Sequence, residues 1–115
     1  MLFRAANARE QGLQVLPADI ESVLLVHPAV TDAAVIGVPD QLAGERAQAY
    51  VVRSASAMAE TSEEELRENI DEHVQDHLDE THWLHDRIFF VTALPKSQNG
   101  KVLKRELKAM AAAAN

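Results

Sequence analysis

Segments with helical and strand-like hydrophobic patterns follow one another in a single order, and this order constrains the fold most. The predicted elements are a helix over Pro17–Pro28, strands over Val30–Val38 and Ala47–Arg53, an acidic helix from Ser62 to between His77 and Glu80, a strand over Arg87–Thr92 and a helix over Val102–Ala113. Spacings of three and four residues indicate helices, and short β-branched or alternating runs indicate strands. We therefore predict an α+β fold, a small three-stranded sheet flanked by helices in the order αββαβα.

Local signals place the ends of these helices. Pro17 suits a first helical position, and Pro28 stops the first helix because the residue before a proline disfavours the α region. Ser62 followed by Glu65 is a capping-box pattern that starts the acidic helix. Its expected apolar stripe is formed by Leu66, Ile70, Val74 and Leu78. The segment from Pro95 to Gly100 is predicted to be a turn because it is rich in Pro, Ser, Asn and Gly.

Length and composition exclude several classes of protein. The 115 residues fit one domain, and the absence of cysteine excludes disulfides, thiolate zinc sites and a cysteine nucleophile. No apolar stretch approaches a membrane span, and the start lacks the apolar core of a signal peptide. We expect a cytoplasmic protein that has no membrane partner and no metal.

The charge is distributed unevenly. The formal net charge is −7, which disfavours nucleic-acid binding. Residues 60–80 carry ten acidic residues and one basic residue, whereas residues 95–108 carry five basic residues and one acidic residue. An acidic helix therefore precedes a basic end, and the acidic run is expected to be a solvated helix face.

Two histidines lie four residues apart on the acidic helix. His73 and His77 have a spacing that can suit a metal, but the glutamate of a zincin helix is missing between them. His77 falls within the predicted apolar stripe on a helical wheel. We therefore expect His77 to be a partly buried structural histidine and not a metal ligand.

Two stretches carry a family resemblance. They are Gly12-Leu-Gln-Val-Leu-Pro-Ala-Asp-Ile-Glu21 with His27-Pro28-Ala-Val30 and Gly37-Val-Pro-Asp40, and Phe90-Val-Thr-Ala-Leu-Pro-Lys-Ser-Gln-Asn-Gly-Lys-Val-Leu-Lys-Arg-Glu-Leu107. Together they resemble the C-terminal domain of the adenylate-forming superfamily, which includes acyl- and aryl-CoA synthetases, luciferases and peptide-synthetase adenylation domains. The His82-Trp83-Leu84 stretch is similar to the 4-coumarate–CoA ligase branch.

This resemblance implies a lid that acts with a large domain. In the family the large domain uses ATP to form an acyl-adenylate, and the small domain then rotates so that CoA or a carrier-protein pantetheine attacks. Lys101 corresponds to the catalytic lysine, which can hold carboxylate and phosphate together. Gly12, Gln14, Lys96 and Gly100 are the cofactor-binding positions that the resemblance implies. Residues 12–110 would form the domain, residues 111–115 its tail, and residues 1–11 a remnant of the hinge or a disordered N-terminus.

Three functions follow as hypotheses. Because the phosphate loop and the acyl pocket belong to the large domain, the chain alone is expected to lack adenylation activity and to require no cofactor. The hinge pairs of the family are not recognisable in residues 3–11, which favours a free-standing protein. Such a protein would act without ATP on acyl or polyketide thioesters, with His82, His85, Asp86 and Lys101 as candidate catalytic residues. Otherwise it would be a noncatalytic protein that binds partners. Possible partners are a large adenylation domain, an acyl-carrier protein or a polyketide synthase.

Overall fold

A computed structural model describes residues 16–42 and 44–114. Its elements in chain order are α1 (Pro17–Leu25), β1 (Val30–Asp40), β2 (Gly44–Arg53), α2 (Ala55–Glu60), α3 (Glu63–His77), a 3₁₀ helix (Glu80–His82), β3 (Ile88–Phe90) and α4 (Lys104–Ala114). The three strands form one sheet with flanking helices, so the predicted α+β class is confirmed. Within the described ranges, no helix combines the length and the hydropathy that a bilayer crossing requires.

The sheet has the order β1-β2-β3, with β1 and β3 at its edges. β1 and β2 pair antiparallel, with Ala34 opposite Tyr50, and β3 pairs parallel with β2. A parallel pair needs a crossover connection, and α2 and α3 supply it between β2 and β3. The rings of Tyr50 and Phe89 stack across the parallel pair, with centroids 5.6 Å apart.

Helices cover both faces of the sheet. On one face α1 and α3 contribute Ile20, Leu24, Leu66, Ile70 and Val74 to a core with Val35, Val51 and Ile88. On the other face Leu107 and Ala111 of α4 pack with Ala34, Ile36, Tyr50 and Leu94. Successive residues of β1 therefore serve two separate cores, which follows from the alternation of side chains along a strand.

His27 joins the end of α1 to α3. The buried ring lies beyond the last turn of α1, where its Nε2 is 2.6 Å from Oδ1 of Asn69. The N–H of Ala29 donates to Nδ1 over 3.0 Å, so Nδ1 is the acceptor and Nε2 carries the proton. A neutral ring in this tautomer satisfies both contacts.

The structure differs from the predicted elements at several ends. The prediction lacked α2, which has no apolar periodicity and forms because the Ser54 side chain accepts a hydrogen bond from the N–H of Ala57. β3 is shorter than the predicted Arg87–Thr92 and spans Ile88–Phe90, although the N–H of Val91 still donates to the carbonyl of Val51 in β2 over 2.9 Å. α4 begins at Lys104 because Val102 forms a bridge with Lys96 and does not enter the helix.

The prediction of a partly buried His77 is wrong. The last residue of α3 is exposed, and its Nδ1 donates to the carbonyl of His73 over 2.7 Å. The half-buried histidine is His73, whose Nε2 lies 2.8 Å from the carbonyl oxygen of Val23 in α1. A helical wheel places both histidines near the apolar stripe, but it gives no position along the axis, and His77 is the last residue of α3.

Leu107 is the main anchor of α4, and its replacement tests how much this helix stabilises the fold. It is fully buried, so Leu107→Ala is expected to lower the free energy of unfolding by about 2–5 kcal/mol through lost contacts and a cavity. Met110→Ala is the matched control, because Met110 is half exposed and should lose less than about 1 kcal/mol. Urea denaturation measures both values, and equal losses would contradict the assignment of Leu107 as the anchor.

Candidate functional site

A closed turn presents Lys101 to solvent. The N–H of Ser97 donates to the carbonyl of Lys101 over 2.8 Å, and the N–H of Gly100 donates to the carbonyl of Ser97 over 2.9 Å. Lys96 and Val102 form an antiparallel bridge that closes the base of the turn. The turn that was predicted from Pro95 to Gly100 is therefore a small hairpin with an exposed Lys101 on its returning side.

Gly100 fits the turn through its backbone conformation. Its φ of 85° lies in the left-handed region, which costs glycine little and other residues more. No atom lies within 4 Å of the position where a Cβ would stand, so space is not the constraint. The conformation brings the N–H of Gly100 back to Ser97 and turns the chain toward Lys101.

Carboxylates hold the two lysines on either side of Lys101. Nζ of Lys96 lies 2.7 Å from Oδ2 of Asp32 in β1, and Nζ of Lys104 lies 2.7 Å from Oε2 of Glu21 in α1. In the ranges that the structure describes, no carboxylate pairs with the ammonium group of Lys101. Of these three cations, Lys101 is the one that is available to an anionic ligand.

The predicted residue His82 faces the interior. It is buried at the end of the 3₁₀ helix, and its Nδ1 lies 3.0 Å from Oδ1 of Asp79. Because a carboxylate oxygen accepts, the Nδ1–H of His82 donates to Asp79. Nε2 is buried and has no hydrogen-bond partner in the part of the chain that the structure describes.

His85 and Asp86 line an open cleft of about 550 Å³ between α3 and β3. The backbone of His85 has a φ of 52°, and its N–H donates to Oδ1 of Asp71 over 2.8 Å. The other charged residues of the cleft are Glu64, Arg67, Glu68 and Asp71. The cleft contains groups that can exchange protons, and its lining residues include no serine, threonine or lysine.

The structure does not bring the four predicted catalytic residues together. The contacts of Lys96 with Asp32 hold the Lys101 hairpin against β1, whereas His85 and Asp86 lie beside β3. These strands are opposite edges of the sheet, with β2 between them. Gly12 and Gln14, two of the predicted cofactor-binding residues, lie outside the described residues.

Three residues that shape these sites, Glu21, Asp32 and Arg87, carry no signal in the sequence that marks their role. Glu21 stands out in the sequence only as the end of a family motif, and no local pattern marks Asp32, because their lysine partners are more than sixty residues away along the chain. Arg87 donates from Nε to the carbonyl of Ala47 over 2.8 Å and from an Nη to the carbonyl of Trp83 over 3.0 Å. The pKa of Arg87 is lowered, mainly because the guanidinium is partly buried and secondly because the positive charge of Arg46 lies nearby. The guanidinium stays protonated, and its hydrogen bonds link the loop before β3 to the carbonyl of Ala47 in β2.

Within residues 16–42 and 44–114, no group of three or more acidic or histidine side chains is placed to hold a metal ion. His73 and His77 have rings with centroids 4.6 Å apart, but one nitrogen of each contacts a backbone carbonyl. The nitrogens that face these carbonyls are engaged as donors.

Comparisons with known proteins agree on one family. A family model described as AMP-binding enzyme C-terminal domain matches residues 19–101. The acyl-CoA ligase easD of Emericella nidulans is 66% identical over 100 residues, which are 87% of this chain and 18% of that protein. The 4-coumarate–CoA ligase 2 of Oryza sativa is 43% identical over 103 residues, which are 90% of this chain and 17% of that protein.

A solved structure gives the same result in three dimensions. The crystal structure of an acyl-CoA synthetase from Brucella canis superposes with a TM-score of 0.74 at 38% identity, over 85% of this chain and 17% of that one. The chain thus spans only 17–18% of the length of these three proteins. The residues matched by the family model, 19–101, include Glu21, Asp32, Lys96 and Lys101.

The ion pairs predict different reactivities for the three lysines. Under limiting acetic anhydride, the Lys101 amine should be acetylated about two- to fivefold faster than the amines of Lys96 and Lys104, because an exposed ion pair stabilises the protonated form by up to about 1 kcal/mol. The intact folded chain is acetylated and then digested, and mass spectrometry of its peptides measures the three rates. Equal rates in the folded chain would contradict the arrangement of one free and two paired lysines, and equal rates in urea are the control.

Proposed function

The chain belongs to the family of AMP-binding enzyme C-terminal domains, and from this premise we propose that it is the C-terminal lid of an acyl-CoA ligase, with Lys101 as its catalytic group. The family membership expected from the two sequence motifs is confirmed, and the lid role is the proposal. The observation that carries it is the exposed ammonium of Lys101, which has no carboxylate partner among the described residues, beside two paired lysines.

Lys101 suits a reaction between two anions. An acid–CoA ligase brings the carboxylate of its acid to the α-phosphate of ATP, so negative charges must approach each other. A single positioned ammonium can contact both groups and stabilise the charge that spreads between them. An ammonium that was already paired with a carboxylate would have to break that pair first.

The proposal assigns the other parts of the reaction to a larger domain. The hairpin lies on an exposed surface, and none of the described clefts is lined by Lys101. ATP and CoA are therefore substrates that this chain would meet on a partner or on another part of a longer protein. Gly100 adds an open surface beside Lys101 where a ligand can approach the backbone closely.

The thioester hypothesis has less support from the geometry. It requires Lys101 to cooperate with His82, His85 and Asp86, but the hairpin and the cleft lie at opposite edges of the sheet. His82 points away from solvent, and its one identified polar contact is with Asp79. A partner-binding role without catalysis would not require the pairing pattern of the three lysines.

The lid role is tested in a hybrid ligase. The C-terminal segment of the Oryza sativa 4-coumarate–CoA ligase 2 is replaced by this chain, and pyrophosphate release is measured with 4-coumarate and ATP. The hybrid should be active, and Lys101→Ala should lower its rate by about a hundredfold, as the loss of a preorganised charge does in other enzymes. The control is Lys108→Ala, an exposed lysine of α4 that should leave the rate unchanged.

Two results would contradict the lid role. One is an inactive hybrid, and the other is equal rates for Lys101→Ala and the unmutated hybrid. The chain alone is incubated in parallel with 4-coumaroyl-CoA and no ATP. Thioester turnover there that is lost with His85→Ala would favour the thioester hypothesis.

A further inference from the structure

The segment that carries Lys101 contains three lysines within nine residues, Lys96, Lys101 and Lys104. An anionic reaction centre attracts all three ammonium groups, and their side chains are long and flexible. A lid that presents one of them reproducibly has to hold the other two. In the structure, a carboxylate pairs with the lysine at each end of the segment.

Asp32 holds the first end. One oxygen, Oδ2, pairs with Nζ of Lys96 at 2.7 Å, and the other, Oδ1, accepts a hydrogen bond from the N–H of Ala33 at 2.9 Å. The hydrogen bond to the neighbouring backbone fixes the orientation of the carboxylate. Lys96 is thereby attached to a rigid point near the start of β1.

Glu21 holds the second end and connects three elements. Its Oε2 accepts a hydrogen bond from the N–H of Val35 in β1 at 2.8 Å and pairs with Nζ of Lys104 at 2.7 Å. Glu21 itself belongs to α1, and Lys104 is the first residue of α4. The Glu21 side chain is 22% exposed and the Lys104 side chain 38% exposed, so solvent partly screens this pair.

The backbone between these two anchors has little freedom. The N–H of Leu103 donates to the carbonyl of Pro95 at 2.8 Å, and Lys96 and Val102 form a bridge inside that contact. The position of Lys101 relative to the sheet is therefore set by the contacts of the hairpin ends. A shift of either anchor moves the base of the hairpin and displaces the ammonium at its exposed side.

We propose that Asp32 and Glu21 are positioning residues for Lys101, which hold the flanking lysines so that the hairpin presents one free ammonium in one place. This inference rests on the proposed lid function. Small displacements of a reacting group are costly, and about 1 Å can reduce a rate by a hundredfold. The two carboxylates touch neither substrate and act only through Lys96 and Lys104.

The test uses the hybrid ligase with Glu21→Gln and Asp32→Asn. Each amide keeps the shape of the side chain and one oxygen that can accept from the backbone, but it loses the charge that holds the lysine. Each substitution is expected to lower kcat for pyrophosphate release by about tenfold, while KM for 4-coumarate changes less than twofold. Glu72→Gln, an exposed acid on α3, is the matched control and should leave kcat unchanged.

A second measurement separates positioning from folding. The variants are supplied with preformed 4-coumaroyl-adenylate and CoA, and thioester formation is followed. Because the lid presents a different face in that step, its rate should stay within twofold of the unmutated hybrid. In the isolated chain, Glu21→Gln should also raise the acetylation rate of Lys104 to that of Lys101, which reports the release of the pair without any activity.

Two outcomes would overturn the positioning role. One is unchanged pyrophosphate release in Glu21→Gln and Asp32→Asn while Lys101→Ala abolishes it, which leaves the lid function standing. The other is an equal loss of both reaction steps together with a lowered unfolding temperature, which assigns the carboxylates to stability alone. Unchanged pyrophosphate release in Lys101→Ala would contradict the lid function itself.

Discussion

One carboxylate oxygen connects the parts of this structure that matter for its chemistry. Oε2 of Glu21, on α1, bonds the edge N–H of Val35 in β1 and the ammonium of Lys104 at the start of α4. α1 covers one face of the sheet and α4 the other, so this contact runs around the edge of β1 and joins both layers. It also satisfies a backbone donor that an edge strand leaves without a partner. The hairpin with Lys101 lies directly before α4, so the contact between Glu21 and Lys104 also restrains the position of the hairpin.

The two cores explain how so small a sheet can carry such a hairpin. β1 packs Val35 toward α1 and α3, and it packs Ala34 and Ile36 toward α4. Because helices cover both faces of the sheet, β1 holds the polar groups along its edge in fixed positions. Two of these groups are the carboxylate of Asp32, which pairs with Lys96, and the N–H of Val35, which donates to Glu21. The cleft with His85 and Asp86 lies beside β3, so the two polar regions of the domain have the sheet between them.

Signals that act within a few residues were readable from the sequence, and contacts between distant residues were not. Pro17 and the Ser62 cap begin helices where they were expected, and the turn before Lys101 is present. α2 escaped prediction because it has a cap and helix-forming residues but no apolar stripe. His77 was placed wrongly because a wheel gives the direction around the helix axis and not the position along it, and His77 is the last residue of α3. The pairs of Lys96 with Asp32 and of Lys104 with Glu21 depend on the packing of α1, β1 and α4 together, and no local pattern marks them.

Electrostatics near the hairpin follow from this pairing. The acidic residues of α3 give the chain its negative charge, and they lie on the face opposite α4. Around the hairpin, the carboxylates of Asp32 and Glu21 neutralise the ammonium groups of Lys96 and Lys104. The remaining positive charge of these five groups is that of Lys101, and it stands on the exposed side of the turn. In a chain with a net charge of −7, Lys101 can thus present an exposed ammonium to an anionic ligand, because Asp32 and Glu21 pair with the lysines on either side of it.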